Sequence, residues 1–281
     1  MRVSSERMTR RSGNGNGKGI QAIGIGFGVL DALMAARKPI SLGELSKRAA
    51  MAPSKTRFYL ISFVQLGLVN QDPGTGLYSL GPGAIRLGLT ALEQFDVVGA
   101  SKSAVHKLAD QLGFSTYLFV WGTYGPTMVY RADGRNWTSL DVRVGSVLPL
   151  LTSAAGRAYL ACLPRSMTDK LVKKEIREIR EHGGRPPSPD EIIRSTRAAG
   201  IATAKASLLA EITAIALPIL DYSALPVAVI SIAGRIGRFD DGPKSKPARL
   251  LKATTAELSR QIGFRKSNEN KASADGILTD E

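Results

Sequence analysis

The sequence predicts an α+β protein, with a small helical domain that ends in a β-hairpin followed by a larger domain around a mostly antiparallel sheet. The chain has 281 residues, which is about the length of two domains. Three short helical segments and one hairpin fit within the first 80 residues, and further strand-like alternation begins after residue 112. Helices and strands segregated in this way are typical of the α+β class.

Composition narrows the class of protein and of partner. The chain is 43% apolar, 22% charged and 6% aromatic, as in soluble globular proteins. It holds 38 Lys and Arg against 24 Asp and Glu, a net charge of +14 that favours nucleic acid or an anionic membrane as partner. No apolar run approaches the roughly 18 residues of a membrane span, so a span is excluded. Of the two kinds of polyanionic partner we expect nucleic acid and no membrane. Residues 1–19 lack the apolar core of a signal peptide, and the single Cys162 cannot form an internal disulfide, which together predict a cytoplasmic protein.

The positive charge is concentrated near the N-terminus. Residues 1–80 contain eleven basic and four acidic residues, a balance of +7 that is half of the total excess. Residues 1–19 are polar, rich in Gly and Asn and basic, which predicts a disordered basic tail, and residues 265–281 predict a second disordered tail.

The first helix is predicted from about Ile20. Ile23, Phe27, Leu30 and Met34 recur at helical spacing and predict one apolar stripe. The G-x-G-x-x-A pattern at residues 17–22 is not read as a dinucleotide site, because that motif requires a buried strand before it and the preceding residues are polar.

Two further helices follow a break at residues 39–40. Ser41 and Glu44 form a capping box. The Ser41 hydroxyl can accept a hydrogen bond from a free backbone N–H, and the Glu44 side chain can accept one from the backbone N–H of the cap residue. That helix runs to about Ala49, and Pro53 starts the next one. Helical periodicity turns one set of its residues inward: Thr56, Tyr59, Leu60, Phe63 and Leu66. It turns another set outward: Ser54, Lys55, Arg57, Phe58, Ser62 and Gln65.

Three short helices and a hairpin at residues 68–80 form the winged helix-turn-helix arrangement. One helix braces another so that its N-terminal end enters the major groove of DNA, while the hairpin lies along the backbone. Arg57 can contact guanine bidentately, Phe58 can lie on a thymine methyl group, and Ser54 and Lys55 can reach phosphates. With Ser62, these are the candidate DNA-binding residues. The alternative is a three-helix packing module that binds no DNA.

The remaining elements are predicted from periodicity and capping signals. A helix at residues 82–95 places Ile85, Leu89, Leu92 and Phe95 on one side. Other helices are predicted at residues 97–112, 152–163, 168–180, 189–199 and 247–262, the fourth of them opened by a capping box at Ser188. Strands are predicted at residues 115–121, 127–132, 138–144, 212–220 and 226–232.

Several short motifs occur in a characteristic order: Leu42-Gly-Glu-Leu, Gly76-Leu-Tyr-Ser-Leu-Gly-Pro, Val144-Gly-Ser-Val-Leu-Pro-Leu, Thr152-Ser-Ala-Ala-Gly-Arg-Ala-Tyr-Leu and Ile215-Ala-Leu-Pro-Ile-Leu-Asp. With them the chain resembles the IclR family of bacterial transcriptional regulators from about Gln21 to Phe264. The resemblance implies a winged helix-turn-helix domain at residues 20–81, a linker helix at 82–96 and a GAF-like effector-binding domain at 97–264. It also implies homodimers or homotetramers on double-stranded DNA operators.

Three departures from the family pattern concern DNA contacts. Phe58 and Ile25 stand where the family often has Arg, and the wing tip at residues 72–76 has no Lys or Arg. Backbone contacts are therefore expected to rely more on Lys55, Arg57 and the basic tail.

The resemblance also implies an effector pocket between the sheet and the helix opening at residues 152–156. The small Ser153, Ala154, Ala155 and Gly156 leave first-turn N–H groups open to an anion. Ile212, Ala214, Ser231 and Ala233 on the facing strands leave volume for a ligand, and Trp137 and Leu140 supply an apolar wall. All of these positions can alternatively be plain core.

The expected effector follows from what this pocket lacks. Many family members place acidic residues just before the first of the two late strands, whereas residues 200–207 contain none. The pocket is thus expected to be more apolar than in relatives that bind small hydrophilic acids. We expect a small organic acid, aromatic or similarly bulky, with its carboxylate at the helix start and its ring near Trp137.

Other classes of function find little support. His106 and His182 are isolated in the sequence, one Cys and two His cannot form a tetrahedral zinc set, and no nucleophile has a recognisable base partner. We therefore predict a ligand-responsive regulator with no catalytic residues, cofactor or metal. The alternatives are a nucleoid-type protein that binds DNA without a ligand and, with less support, a small-molecule enzyme.

Overall fold

The computed structural model describes residues 20–94, 96–136 and 142–265, and the chain divides into two compact units, one up to Ala91 and one from Leu92. In the described part of the N-terminal unit, three helices and a hairpin come first, as expected: α1 (Gln21–Ala36), α2 (Leu42–Arg48), α3 (Pro53–Gln65), β1 (Val69–Gln71) and β2 (Tyr78–Leu80). Helix α4 (Pro82–Gln94) follows, and its Phe95 end lies outside the described residues.

Helix α1 buries a different face from the predicted stripe. Its buried residues include Gly26, Val29 and Leu33, whereas Phe27 of the stripe is 50% exposed. The cause is the close approach of α3: a Cβ added at Gly26 would lie 3.0 Å from a ring carbon of Tyr59. The side of α1 that carries Gly26 therefore packs inward. Leu30 of the predicted stripe packs partly against the core, and Ile23, Phe27 and Met34 remain as an exposed, unpartnered stripe.

The predicted caps form, although not reciprocally. Ser41 Oγ accepts from the Glu44 N–H at 3.3 Å, and Ser188 Oγ accepts from the Glu191 N–H at 3.4 Å. The Glu44 carboxylate does not return to the cap, because it pairs with Arg48 at 2.7 Å one helical turn later. Each Ser therefore fixes where its helix begins, as the sequence predicted.

Helix α3 has the predicted polarity with one exception. Thr56 and Leu60 are buried, and all six side chains expected outside are exposed. Leu66, expected inside, is 65% exposed because α3 ends before it and Leu66 forms the C-terminal cap. The connection from α2 turns at Ala50, whose φ of 49° lies in the left-handed region.

The second unit is built on a five-stranded antiparallel sheet with the strand order β4-β3-β7-β6-β5. Its strands are β3 (Ser115–Gly122), β4 (Gly125–Ala132), β5 (Ala202–Lys205), β6 (Ile212–Leu220) and β7 (Pro226–Arg235). Its helices are α5 (Val97–Leu112), α6 (Ala154–Cys162), α7 (Arg165–Glu181), α8 (Pro189–Ala199) and α9 (Lys246–Gln261).

Alternation along the strands creates two cores. Leu118 and Ile215 face α5 and α9 on one side of the sheet, and the next residues along each strand, Phe119 and Ala216, belong to the core around α6 on the other side. Helices α7 and α8 add a small cluster outside α6 that includes Leu160 and Val172. On the α6 side, strands β5, β6 and β7 carry small residues that include Ala204, Ala216 and Ala233, and this leaves space for the pocket described below.

Two strand predictions need correction. Strand β5 was not predicted, because four residues at a sheet edge carry too short a pattern. The strand predicted at residues 138–144 lies outside the described residues up to 141, and residues 142–144 are not in a strand. There the chain turns instead: the Ser146 N–H donates to the Arg143 carbonyl at 2.9 Å, and Gly145 has a φ of 94°.

Candidate DNA-binding and effector sites

Helix α3 presents the candidate DNA-binding residues on one open surface. Ser54, Lys55, Arg57 and Phe58 lie in its first two turns, Ser62 lies one turn further, and all five are exposed, Phe58 by 70%. The helix contains no acidic residue. Among the described residues neither cation makes an ion pair, so both are available to an external anion.

The backbone at the start of α3 adds to this positive surface. Ala52 caps the helix without a side-chain hydrogen bond, and Pro53 occupies its first turn. The first amide with a helical partner is that of Thr56, which donates to the Ala52 carbonyl at 2.9 Å. The earlier amides of Ser54 and Lys55 have no acceptor within the described part of the chain. Such a helix start favours phosphate groups.

The wing is held by an acidic residue. Asp72 Oδ1 accepts from the Thr75 hydroxyl at 2.8 Å and from the Thr75 and Gly74 amides at 2.7 and 3.1 Å. These bonds, the Thr75 hydroxyl first, hold the pKa of Asp72 below its usual value. The carboxylate stabilises the turn but repels phosphate, so the wing tip offers no cationic contact.

The second unit contains a pocket between the sheet and the N-terminal end of α6. The volume of this cavity is about 50 Å³. Seven residues proposed from the sequence line it: Ser153, Ala154, Ala155, Ile212, Ala214, Ser231 and Ala233. The structure therefore brings the start of α6 and the strands β6 and β7 together at one site.

The other three effector-binding residues proposed from the sequence are not among the described residues that line the pocket. Trp137 and Leu140 lie outside the described residues. Gly156 is outside the lining, and its missing Cβ lets the preceding chain approach: a Cβ there would be 2.2 Å from the Pro149 carbonyl oxygen. Its N–H already donates to Ser153 Oγ at 2.9 Å.

Sequence reasoning missed several of the pocket walls. Strand β3 contributes Tyr117 and Phe119, β4 contributes Met128, and the loop between β5 and β6 contributes Leu208 and Leu209. The alternation of residues 115–121 was sufficient to place Tyr117 and Phe119 on one face. The loop leucines carried no comparable signal, because residues 206–211 have no regular secondary structure.

The polar groups of the pocket are few and uncharged. Ser153 caps α6, and the amides of Ala154 and Ala155 in its first turn have no acceptor among the described residues. Ser231 Oγ donates to the Ile215 carbonyl at 3.0 Å. No charged side chain occurs among the described lining residues. An anion in this pocket would therefore be held by backbone amides and hydroxyls.

Arg157 ties the segments around the pocket together. Its guanidinium donates to the Leu151 carbonyl at 2.8 Å, the Thr203 carbonyl at 2.6 Å and Ser207 Oγ at 3.2 Å. Burial lowers the pKa of Arg157 from its ordinary high value. The residue thus joins the segment before α6, the edge strand β5 and the start of the loop that carries Leu208 and Leu209.

A buried carboxylate supports the same segment from α7. Glu175 Oε2 accepts from the Leu151 N–H at 3.0 Å, whereas Oε1 has no partner among the described groups. Burial raises the pKa of Glu175, the Leu151 and Leu150 amides oppose that rise, and Glu178 adds to it. The carboxylate therefore positions the chain that leads into α6.

The residues considered for catalysis have ordinary structural surroundings. His106 contacts the Tyr130 hydroxyl, and His182 Nδ1 lies 2.7 Å from the Glu178 carbonyl oxygen. Burial raises the pKa of the Cys162 thiol, which disfavours a thiolate nucleophile. No group of three metal-ligating side chains occurs in the described ranges, and no helix there is long and apolar enough to cross a membrane.

Comparison with known proteins assigns both units. A family model described as the IclR helix-turn-helix domain matches residues 22–73, and one described as the bacterial transcriptional regulator IclR C-terminal matches residues 89–260.

Among curated relatives, the glycerol operon regulatory protein of Streptomyces coelicolor is 25% identical over 88% of this chain and 98% of its own length. The transcriptional repressor IclR of Escherichia coli is 23% identical over 87% and 90%. Among solved structures, Pseudomonas aeruginosa HmgR has a TM-score of 0.73 and 29% identity over 88% of this chain and 100% of that one. The matched families and relatives are regulators and not enzymes.

Proposed function

Because this chain belongs to the IclR family of bacterial transcriptional regulators, we propose that it binds a specific operator through α3 and changes its affinity for that operator when an organic acid occupies the pocket of the second unit. The observation that carries the proposal is the pocket itself. Ala154 and Ala155, whose backbone amides have no acceptor among the described residues, line a pocket whose walls are otherwise mostly apolar.

The DNA contacts are proposed from exposure and charge. Arg57 offers a planar fork of donors suited to guanine, and Lys55 with the first-turn amides of α3 suits phosphate. Phe58 is exposed, large and apolar, which suits a thymine methyl group. The acidic wing tip supplies no cation, so we assign Lys55 and Arg57 the main positively charged contacts of the described unit. Helix α4 is the proposed linker.

The effector class is proposed from the pocket walls. Phe119, Met128, Leu148 and Leu209 give apolar surface for a ring or a bulky chain, and the start of α6 can hold the carboxylate. With no charged lining residue among those described, a small acid with several charges would lose hydration without a compensating ion pair. We therefore propose an aromatic or similarly bulky organic acid.

Self-association is proposed from the unpartnered stripe on α1. Ile23, Phe27 and Met34 are exposed and lie on one side of the helix, away from the core of their own unit. Exposed apolar faces of this kind mark protein–protein contacts. A second copy of this chain is the proposed occupant, because the family resemblance implies dimers, or dimers of dimers, on paired half-sites.

The DNA assignment is tested with a duplex that the protein itself selects from a randomised pool. Arg57→Ala should lose about 5–150-fold in preference for that duplex over a scrambled one, because one bidentate base contact gives about 1–3 kcal/mol of discrimination. Lys55→Ala should weaken both duplexes alike and reduce the salt slope of log K by about one.

The measurement is a gel-shift titration at several salt concentrations, with Lys170→Ala on α7 as a charge-matched control in the other unit. Equal binding of the selected duplex by wild type and both α3 variants would contradict the assignment. Binding without any sequence preference and without any ligand effect would identify a nucleoid-type protein instead.

The effector assignment is tested by adding organic acids to the full chain. Aromatic acids such as phenylacetate should raise the melting temperature and shift the affinity for the selected duplex about 5–150-fold, the range of a coupling of 1–3 kcal/mol. Acetate is the small control. If a non-aromatic metabolite shifts both quantities and aromatic acids shift neither, the proposed ligand class is wrong.

A further inference from the structure

We propose that Ile61 is a specificity-determining residue of α3, and that together with Phe58 it packs against thymine methyl groups in the operator half-site. The inference rests on the proposed function, in which α3 binds the operator. Ile61 was not among the outward residues predicted from the sequence, and its position in the structure is what brings it into the DNA contact.

One face of α3 points directly away from the core of its unit, and we call it the outward face. Four exposed residues form it, at the helical spacings of four, three and four: Ser54, Phe58, Ile61 and Gln65. Thr56 and Leu60, which are buried, lie on the opposite side of the helix. Phe58 is 70% exposed and Ile61 51%. The outward face is therefore polar at its ends and apolar in its middle.

Cations lie on both sides of the outward face. At 3.6 residues per turn, Lys55 lies about 90° to one side of its middle and Arg57 about 70° to the other. Phosphates border the major groove on both sides of the base edges, so this arrangement suits a helix whose middle meets the bases. An apolar protein surface would offer neither cation an opposite charge. The long Arg57 side chain can still reach a guanine beside the apolar pair.

The middle of the outward face matches one chemical group of DNA. The thymine methyl is the apolar group that the four bases present in the major groove, and the other groups there are hydrogen-bond donors and acceptors. Those polar groups would lose hydration against Phe58 or Ile61 without gaining a partner. The Phe58 ring is already held by an edge-on contact with Tyr59, with ring centres 6.0 Å apart.

The spacing of the two side chains predicts where the thymines lie. Phe58 and Ile61 are about 4.5 Å apart along the helix axis, close to the roughly 3.4 Å rise of one base pair. We therefore expect thymines in neighbouring base pairs of the half-site.

The test replaces the thymines of the selected duplex one at a time by deoxyuridine, which removes only the methyl group and keeps the base pair. Uracil at either of two neighbouring positions should weaken wild-type binding about fourfold, the effect of one buried methyl-sized group. Ile61→Ala should weaken binding of the thymine duplex and remove the uracil effect at one of these positions. Phe58→Ala should remove it at the other. Fluorescence anisotropy titrations measure each affinity.

Val64→Ala is the matched control, because Val64 is also exposed and β-branched but lies about 90° from the middle of the outward face. This variant should keep both uracil effects. Ile61→Ala should keep the melting temperature of wild type, since Ile61 is not part of the core of its unit, and this shows that the variant folds.

Three results would overturn the role of Ile61. They are a selected half-site without thymine, uracil substitutions that leave wild-type affinity unchanged at every position, and an Ile61→Ala variant that keeps every uracil effect. In each case a wild-type preference for the selected duplex over a scrambled one still supports the proposed function. Equal binding of both duplexes by wild type would overturn the proposed function together with the inference.

Discussion

Burial of the Glu175 carboxylate makes the stability of the protein depend on pH. Its pKa is raised above the ordinary 4.5, chiefly by burial, so the folded protein holds this proton more tightly than the unfolded chain does. The associated stability is complete below about pH 4.5 and is lost as the pH rises through the higher folded pKa. Protonation thus favours the native state at this site.

We expect Glu175→Gln to show this sign directly. The amide oxygen can still accept from the Leu151 N–H, but no charge forms, so the melting temperature of the variant should gain on wild type as the pH rises from about 4.5. Thermal melts at several pH values make the measurement, and Glu181→Gln, an exposed site on the same helix, is the matched control. A difference that is constant with pH would contradict this account.

At the scale of residues, sequence reasoning found the small side chains of the pocket and missed its loop residues. Ala214 and Ser231 could be identified because period-two alternation fixes which strand residues share a face. Leu208 and Leu209 could not, because residues 206–211 have no regular secondary structure and so no period to follow. Gly156 was recognised as small for a different reason from the one observed, the close approach of Pro149.

Among the elements, the turn between α2 and α3 contains a strained residue. Ala50 has a φ of 49°, where a side chain costs roughly 1–2 kcal/mol and glycine is unstrained. Ala50→Gly should therefore stabilise the chain by about 0.5–1 kcal/mol, after the entropy that glycine adds to the unfolded state.

Urea unfolding at constant slope measures that gain. Ala49→Gly is the neighbouring control, because Ala49 has a φ of −81° and should lose about 1 kcal/mol on substitution by glycine. A loss of stability in both variants would show that the Ala50 conformation is not strained.

Helices were predicted more accurately than strands because their signals are local. Ser41 and Ser188 each cap a helix with an acceptor three residues before the donor, within one turn of sequence. Strand β5 exists through pairing with β6 alone, and a four-residue edge carries little pattern of its own. The buried face of α1 likewise depends on α3, whose Tyr59 packs against Gly26.

For the whole molecule, the unpartnered stripe on α1 predicts a dimer. Phe27→Glu places a charge on that stripe and should shift the mass measured by light scattering from dimer or tetramer toward monomer. Binding to a selected two-half-site duplex should weaken in parallel, because a monomer loses the second half-site.

Tyr124→Glu is the control, since Tyr124 is a comparably exposed aromatic residue between β3 and β4 in the other unit. If Phe27→Glu keeps the mass of wild type, the stripe is not the contact between copies.

The α+β class and the two-part organisation were predictable, because helices and strands are segregated along the chain and each stretch has its own period. Five strands were expected in the second unit and five are described there, but they are not the same five: β5 was not predicted, and residues 142–144 of the strand expected at 138–144 are not in a strand.

The groups proposed to hold the carboxylate of the effector are main-chain amides at the start of α6. A side-chain substitution cannot remove a peptide N–H unless proline is introduced, so the proposed contact with a carboxylate would survive most point mutations. Neighbouring walls such as Met128 and Leu208 are free to be resized without importing a buried ion. A scaffold of this kind is suited to being reprogrammed as a biosensor, with recognition of the acid group retained while the preferred hydrocarbon outline is altered.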